Sequence, residues 1–546
     1  MKLPASNPKI NTLFYGDNLD ILRNHIGTET IDLIYLDPPF NSKADYNVLF
    51  KEKGGESSHA QIQAFSDSWV WDVEAKHAYD ELTTQAPNLD VSNLTKALFD
   101  FLGKNDMMAY LVMMGVRLIE LQRVLKPTGS LFLHCDSTAS HYLKIMLDSI
   151  FGLQNFRNEI VWKRIQGHSD AKRFGKVSDR ILFYSKTDEY KFNTQTVPHS
   201  AEYLESRYPT DKDGRRYALD NLNPPGGRGP VYEFHGLTRP WRFTQEKMLK
   251  LEAEGRIYTK SRVPRLMRYL DELKVQGGAV VTEVWTDIFP VNSQAKERLG
   301  YPTQKPLALL ERIIEAGSDE GDWVLDPFCG CGTAVVAAEK DKRHWIGIDI
   351  TYLAINLIKT RLKDAFPKAK FEIEGEPKDL AGAVALSKKD RYQFQWWVVS
   401  LVGARPYGST TSNPKEGKKG ADEGIDGWMK FHDGEEGNVE TVIVQVKSGG
   451  VGAKDIRELR DRLQAKRAAL GLFITLEAPT SEMTKEARTT DPYVSPIWNQ
   501  QYPKIQILTI EDLLNGVKPS LPPTLNLFAQ AEKEKYTDTS EWGKIS

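Results

Sequence analysis

Residues 31–40 read I-D-L-I-Y-L-D-P-P-F. An apolar, strand-like run stops on an acid, two prolines and an aromatic ring. Proline has no N–H and a fixed φ, so the carbonyls just before each ring face outward without a ladder partner. In an open α/β sheet, function collects at the carboxyl ends of strands. There, Asp37 and a rigid Pro38 carbonyl present two neighbouring acceptors, which suit an exocyclic NH2 group. The ring of Phe40 suits the face of a planar base. A proline-punctuated turn with a core phenylalanine is the competing reading.

A second stretch has the same grammar. Residues 323–335 read W-V-L-D-P-F-C-G-C-G-T-A-V, again a strand, an acid and then a glycine-rich turn. Gly330 and Gly332 let backbone approach a ligand closely, and the helix that follows offers its N-terminus. Val335 stands where the dinucleotide fingerprint requires a third small residue, which argues against a dehydrogenase. In G-I-D-I, Asp349 ends the next strand, where a carboxylate can accept from ribose hydroxyls. Cys329 and Cys331 read as small loop fillers, because a metal pair needs further ligands that the neighbourhood lacks.

The wider composition is that of a soluble, multidomain chain. Its 546 residues are 40% apolar and 27% charged, with a net charge of −2 and three cysteines. No run approaches the roughly 18 apolar residues of a membrane span, and the N-terminal M-K-L-P-A-S-N-P-K does not lead into a signal core. Few cysteines point to a reducing cytoplasm. From Leu13 to about Ala365, strand-like and helical runs alternate, which predicts βαβ units on a parallel sheet. Residues 373–389 read as a linker, 390–515 as a second α/β unit, and 516–546 as a mobile tail. A weak global charge means that a polyanion must be met by local patches. Arg157, Lys163, Arg164, Lys172, Arg173 and Lys176 form one such patch. Arg256, Lys260, Arg262, Arg265 and Arg268 form another. A solvated charged face explains either patch equally well.

With these residues in view, the chain resembles the amino-methylating DNA methyltransferases that use S-adenosylmethionine. Their catalytic motif is (D/N/S)-P-P-(Y/F/W) and their cofactor loop is D-P-F-x-G-x-G-T. The catalytic motif comes first here, as in the circularly permuted β class. Y-G-D-N-L-D (15–20), L-K-P-T-G-S-L-F-L-H-C-D (125–136), R-N-E-I-V-W-K-R (157–164) and Y-P-T-Q-K-P-L-A-L-L-E-R (301–312) follow in the family's order. The resemblance implies an α/β fold: a permuted Rossmann-like sheet over residues 1–372, with a target-recognition region inserted at 187–296. It implies double-stranded DNA as partner and a cytoplasmic, nucleoid-associated location, and it leaves pairing with a second copy open.

The resemblance also assigns roles. Asp37, Pro38, Pro39 and Phe40 would be catalytic, with Phe40 stacking on a flipped base. Gly16, Asp17, Lys305, Asp326, Pro327, Phe328, Gly330, Gly332, Thr333 and Asp349 would hold the cofactor. Asp at the first motif position is typical of adenine-N6 enzymes, with cytosine-N4 as the alternative. Cytosine-C5 chemistry needs a nucleophilic cysteine, usually in a Pro-Cys pair, and the chain has none. Trp69 and Trp71 either border the base pocket or belong to the core. N-P-P-G-G-R-G-P (223–230) reads as a mobile loop or a plain surface loop.

The second unit carries G-A-D-E-G-I-D-G (420–427) and T-V-I-V-Q-V-K (441–447). Gln445 and Lys447 share one strand face, and Asp426 starts the neighbouring strand. This resembles the Mrr-like branch of the PD-(D/E)xK restriction nucleases, and implies a smaller α/β domain with Asp426, Gln445 and Lys447 catalytic. Asp426 and Gln445 would bind Mg2+. The helix-borne acid of that family has no match in R-Y-Q-F-Q-W-W-V-V, where Gln395 is the nearest substitute. A nuclease fold kept for DNA binding without cleavage is the alternative.

Overall fold

The computed structural model describes residues 8–39, 45–51, 57–66, 69–165, 174–198, 205–206, 208–211, 213–272, 278–292, 295, 297–299, 301, 303–407, 424–433 and 439–523. Phe40, Lys172, Arg173 and residues 524–546 of the expected tail lie outside the described residues. By its contacts the chain divides into a unit at Thr194–Thr282 and a larger unit made of the remainder.

A nine-stranded sheet organises the larger unit. Its strands are β1 (Thr12–Tyr15), β2 (Ile31–Leu36), β3 (Leu125–Cys135), β4 (Phe156–Lys163), β5 (Ser178–Ser185), β6 (Val284–Trp285), β7 (Trp323–Asp326), β8 (His344–Asp349) and β9 (Glu372–Glu374). The order across the sheet is β6-β4-β5-β3-β2-β7-β8-β1-β9. β5 runs antiparallel to β3 and β4, and the other pairings are parallel.

A central parallel strand is covered on both faces, which is why β2 reads as an almost unbroken apolar run. Every residue of β2 is buried. Its one acid, Asp32, sits at the amino edge, where Lys126 Nζ (2.7 Å) and the Trp323 N–H (3.0 Å) donate to it. The flanking helices are α1 (Asn18–His25), α2 (Asp106–Val124), α3 (Leu307–Gly317), α4 (Thr333–Lys340) and α5 (Tyr352–Ala365). α2 is apolar nearly all round and is correspondingly buried, Arg117 included. Among the described residues, no helix is long and apolar enough to cross a membrane.

The stretch expected to be a linker is largely built into the fold. Glu372–Glu374 extends the large sheet beside β1, and Leu380–Lys389 is a helix, α6. The small apolar run L-A-G-A-V-A-L forms that helix because Asp379 caps it, accepting from the Gly382 N–H at 2.7 Å. Ala383 and Leu386 are buried in the next core. A second helix, α7 (Arg391–Leu401), then leads into a five-stranded sheet of β10 (Arg405–Pro406), β11 (Gly427–His432), β12 (Val439–Lys447), β13 (Leu470–Thr475) and β14 (Ile505–Thr509), paired in that order. β10, β11 and β12 pair antiparallel, and β12, β13 and β14 parallel. The parallel step from β12 to β13 needs a crossover, supplied by α8 (Ala453–Ala465).

The unit at Thr194–Thr282 has its own small core around Leu222, Phe234, Trp241, Met248 and Leu266. Its three-stranded antiparallel sheet joins Tyr217–Asn221, Arg265–Tyr269 and Ile257–Tyr258. N-P-P-G-G-R-G-P contains a short 3-10 turn at Pro225–Gly227. Part of the basic stretch is neutralised by acids distant in sequence: Arg256 pairs with Glu272, and Arg268 with Asp220. In the larger unit, Arg157 is likewise engaged, by Ser185, the Thr187 carbonyl and Asp188.

Candidate active site

β2 and β7 are direct neighbours, with Leu33 opposite Val324 and Ile34 opposite Leu325. Because they run parallel, the acid-proline turn and the glycine-rich turn leave the same edge of the sheet side by side. β8 and β1 follow in order and bring Asp349 and Gly16–Asp17 to that edge. These loops enclose a cavity of about 280 Å³. Asp37, Pro38 and Pro39 line it from one side, and Asp326, Pro327, Phe328, Gly330 and Thr333 from the other.

The loops are stitched to one another. The Gly16 N–H donates to the Asp349 carbonyl at 3.0 Å, and the Gly330 N–H to Asp349 Oδ2 at 2.9 Å. Asp349 Oδ1 accepts from the N–H and hydroxyl of Thr351 at 2.9 and 2.8 Å. Asn18 Nδ2 donates to the Pro327 carbonyl at 2.8 Å in a buried bond between the first and seventh strands' loops. Arg117 closes the set, with Nε on Asn18 Oδ1 (2.6 Å) and Nη2 on Asp17 Oδ2 (2.8 Å). Arg361 holds the glycine turn from beneath, donating to the Cys331 carbonyl at 3.0 Å.

Gly332 occupies the left-handed region at φ 74°, and a Cβ there would lie 2.6 Å from Ile358 Cγ1. Gly330, at φ 48°, sits against the ring of buried Tyr301. Both positions therefore need glycine for conformation, and Gly332 needs it for space as well.

The cavity is rich in carboxylates. Burial pushes Asp326 well above the usual carboxyl range, partly opposed by the Phe328 N–H. Removal from water pushes Asp349 up to about 6, against the N–H and hydroxyl bonds from Thr351 and Gly330. Lys305 Nζ is bound to Asp37 Oδ2, so the predicted cofactor lysine and the predicted catalytic acid meet directly. Among the described residues, Asp37 Oδ1 is buried with no hydrogen-bond partner, and so is Trp69 Nε1. The cavity thus holds one unmet acceptor and one unmet donor, and an unmade buried hydrogen bond is costly.

The DNA methylase family model matches residues 31–360, more than half of the chain. The chain belongs to the DNA methylase family. Among curated members, the Type II methyltransferase M.EcaI of Enterobacter cloacae is 30% identical over 360 residues, which span 64% of this chain and 69% of that protein. The StyLTI Mod subunit of a Type III restriction-modification enzyme from Salmonella typhimurium is 29% identical over 357 residues, 61% of this chain; the match spans half of the Mod subunit. Among solved structures, the cytosine-N4-specific PvuII DNA methyltransferase matches with a TM-score of 0.31 at 12% identity, over 68% of this chain and 98% of that one. Residues 411–515 match a second model, described as NACHT-associated inactive Restriction Endonuclease 1.

For this methylase, the predicted residues Gly16, Asp17, Asp37, Lys305, Asp326, Gly330 and Asp349 all line the one cavity. Asn18, Arg117 and Arg361 were missed. Arg117 had a legible signal, since a cation inside the apolar run M-M-A-Y-L-V-M-M-G-V-R-L-I must find buried partners. Trp69 lines the cavity, whereas Trp71 packs against Tyr79 and Phe99.

In the C-terminal sheet, Asp426 immediately precedes β11, and Gln445 lies on the neighbouring β12. Asp426 Oδ2 accepts from the Val446 N–H at 2.7 Å and so serves the strand ladder. Gln445 is 1% exposed, and its amide atoms have no partner among the described residues. Lys447 Nζ lies 3.6 Å from Asp455 on α8. Among the described residues, no group of three or more His, Cys, Asp or Glu is arranged to hold a metal ion.

Gly332→Ala is expected to destabilise the fold by about 1–3 kcal/mol, from left-handed strain and overpacking on Ile358. A thermal unfolding scan against the wild type checks this; an unchanged melting temperature contradicts it.

Proposed function

We propose that this methylase transfers the methyl group of S-adenosylmethionine to adenine N6 in double-stranded DNA, as a permuted β-class enzyme. The observation that carries the reading is the unmet Asp37 Oδ1 in the cavity formed where β2 and β7 run side by side. The order of the two motifs supports the permuted class, since the Asp37 turn precedes the glycine turn in the chain while adjoining it in the sheet.

A base amine is inaccessible inside a duplex, so the target nucleotide must be flipped out. Asp37 Oδ1 and the Pro38 carbonyl would accept the two amine hydrogens and draw the nitrogen lone pair out of conjugation. Trp69 Nε1 would donate to the ring nitrogen beside the amine, which is an acceptor in adenine. Lys305, bound to the other carboxylate oxygen, holds Asp37 in place. The bound cofactor supplies an activated methyl on a sulfonium, and the carboxylates of Asp17, Asp37, Asp326 and Asp349 suit that cation. Alignment of amine and methyl provides most of the acceleration, without a covalent intermediate; the nitrogen that gains the methyl then releases one amine proton to water, and the donor leaves as a neutral thioether. Phe40 would stack on the base. Cytosine presents the same donor–acceptor edge, so cytosine N4 is the second reading.

Asp37→Ala is expected to lower methyl transfer by about 10²–10³-fold with cofactor binding retained, and Trp69→Phe to lower it less. Single-molecule sequencing of DNA from expressing cells reports the modified base and its context. Wild-type chain that binds DNA yet never labels it would sink the reading.

The Asp349 carboxyl gives a pH test. Its folded value of about 6 lies above the ordinary value near 3.9, so the neutral form suits the unliganded fold. That stability is fully present below about pH 3.9 and is lost as pH rises through 6. Ribose hydroxyls need the ionised acceptor, so S-adenosylmethionine affinity should fall as pH drops through about 6. Calorimetry from pH 5 to 8 should show this decline, flattened in Asp349→Asn.

For the C-terminal domain we infer a PD-(D/E)xK-like, Mrr-related fold that binds or senses DNA without cutting it. The donor set does not fit Mg2+. One Asp426 oxygen is committed to backbone, Gln445 is neutral, and Lys447 is turned to Asp455. The match to a family described as inactive supports the same reading. DNA incubated with Mg2+, methylated or not, is expected to stay intact; cleavage abolished by Lys447→Ala would restore the nuclease.

A further inference from the structure

Asp349 depends on its neighbours in chain order. Thr351 donates to Asp349 and at the same time caps α5, accepting from the Ala354 N–H at 3.2 Å. The next residue, Tyr352, opens α5, where a helix leaves its backbone N–H groups without intrahelical acceptors. The acceptor for the Tyr352 N–H comes from 41 residues away: Gln393 Oε1 on α7, at 2.9 Å. α7 is itself fixed at its start by Asp390, which accepts from the N–H groups of Tyr392 and Gln393.

The Tyr352 side chain repeats the connection. It is 1% exposed and shares a buried apolar cluster with Phe394, Trp397, Val398 and Val399 of α7. Its ring stacks on that of Tyr15, with centroids 3.7 Å apart and planes at 24°. Tyr15 ends β1, pairs in register with Asp349 and immediately precedes Gly16 and Asp17. The two loops at the β1 and β8 side of the cavity are therefore both backed by α7. α7 thus carries a glutamine, Gln393, that caps a helix of the methyltransferase half.

We propose that Gln393 and Tyr352 are positioning residues through which the C-terminal domain holds Asp349 in its cofactor-binding orientation. The placement of α7 and binding of S-adenosylmethionine are then linked. Because such coupling is reciprocal, a ligand that shifts α7 from the C-terminal side also shifts cofactor affinity. The proposal rests on the cavity being the S-adenosylmethionine site.

The test uses the full chain and titration calorimetry with S-adenosylmethionine. Gln393→Ala removes the cap and is expected to weaken binding about three- to tenfold, the size of one hydrogen bond. It should raise KM for the cofactor while leaving kcat and KM for DNA near wild type. Gln393→Glu keeps an acceptor oxygen and should restore affinity. Met483→Ala serves as control: Met483 is fully buried in a separate cluster beside α8, so its loss should lower the melting temperature without changing cofactor affinity. If wild type binds no S-adenosylmethionine, the cavity reading fails and this proposal with it. If wild type binds but Gln393→Ala binds equally well, or Met483→Ala weakens binding as much, the positioning role is overturned and the cavity reading stands.

Discussion

The parallel pairing of β2 with β7 is the constraint on which the rest depends. Two strands separated by almost 300 residues lie in register through Leu33–Val324 and Ile34–Leu325. Parallel pairing sends both chains out at the same edge. An acid followed by two prolines and a turn built on glycines are thereby forced into contact range of one ligand. Had either strand been antiparallel, the two turns would sit at opposite ends of the sheet, and the same residues would have no joint chemistry.

Burying carboxylates around one cavity has a desolvation cost, visible in the raised values of Asp326 and Asp349. The fold offsets it with cations and backbone donors rather than with solvent. Lys305 meets Asp37, Arg117 meets Asp17, and the Gly330 and Phe328 N–H groups meet Asp349 and Asp326. What is left unmet, one oxygen of Asp37 and the indole N–H of Trp69, matches the hydrogen-bonding edge of an aminated base. For the proposed binding of a cation and a polar heterocycle, such residual polarity serves better than full internal satisfaction.

On the proposed reading, the C-terminal domain keeps a nuclease-like fold without the chemistry. Its mixed five-stranded sheet and crossover helix are intact, yet Asp426 serves the ladder and Lys447 serves α8. The helix α7 has instead been turned to the methyltransferase half, where Gln393 and the cluster around Tyr352 make one continuous body of the two sheets' neighbouring helices.

The sequence by itself determined the local grammar: which strands end on acid-bearing turns, that the turn after Asp326 is built on glycines, and that Asp37 and Asp349 sit at strand ends. Period and turn chemistry are local properties, so they can be seen along the chain. The helix at Leu380–Lys389 was less legible, because its run of small residues becomes a helix only with the Asp379 cap and a surface to bury Ala383 and Leu386 against. That acids such as Asp188 and Glu272 meet Arg157 and Arg256 was decided only by folding. The partners of Asn18, Arg117 and Gln393 lie tens to hundreds of residues away. Sequence spacing carries no trace of such pairs, since long-range hydrogen bonds are made by the geometry of packed elements; tertiary structure alone decided which side chains hold the cavity in shape.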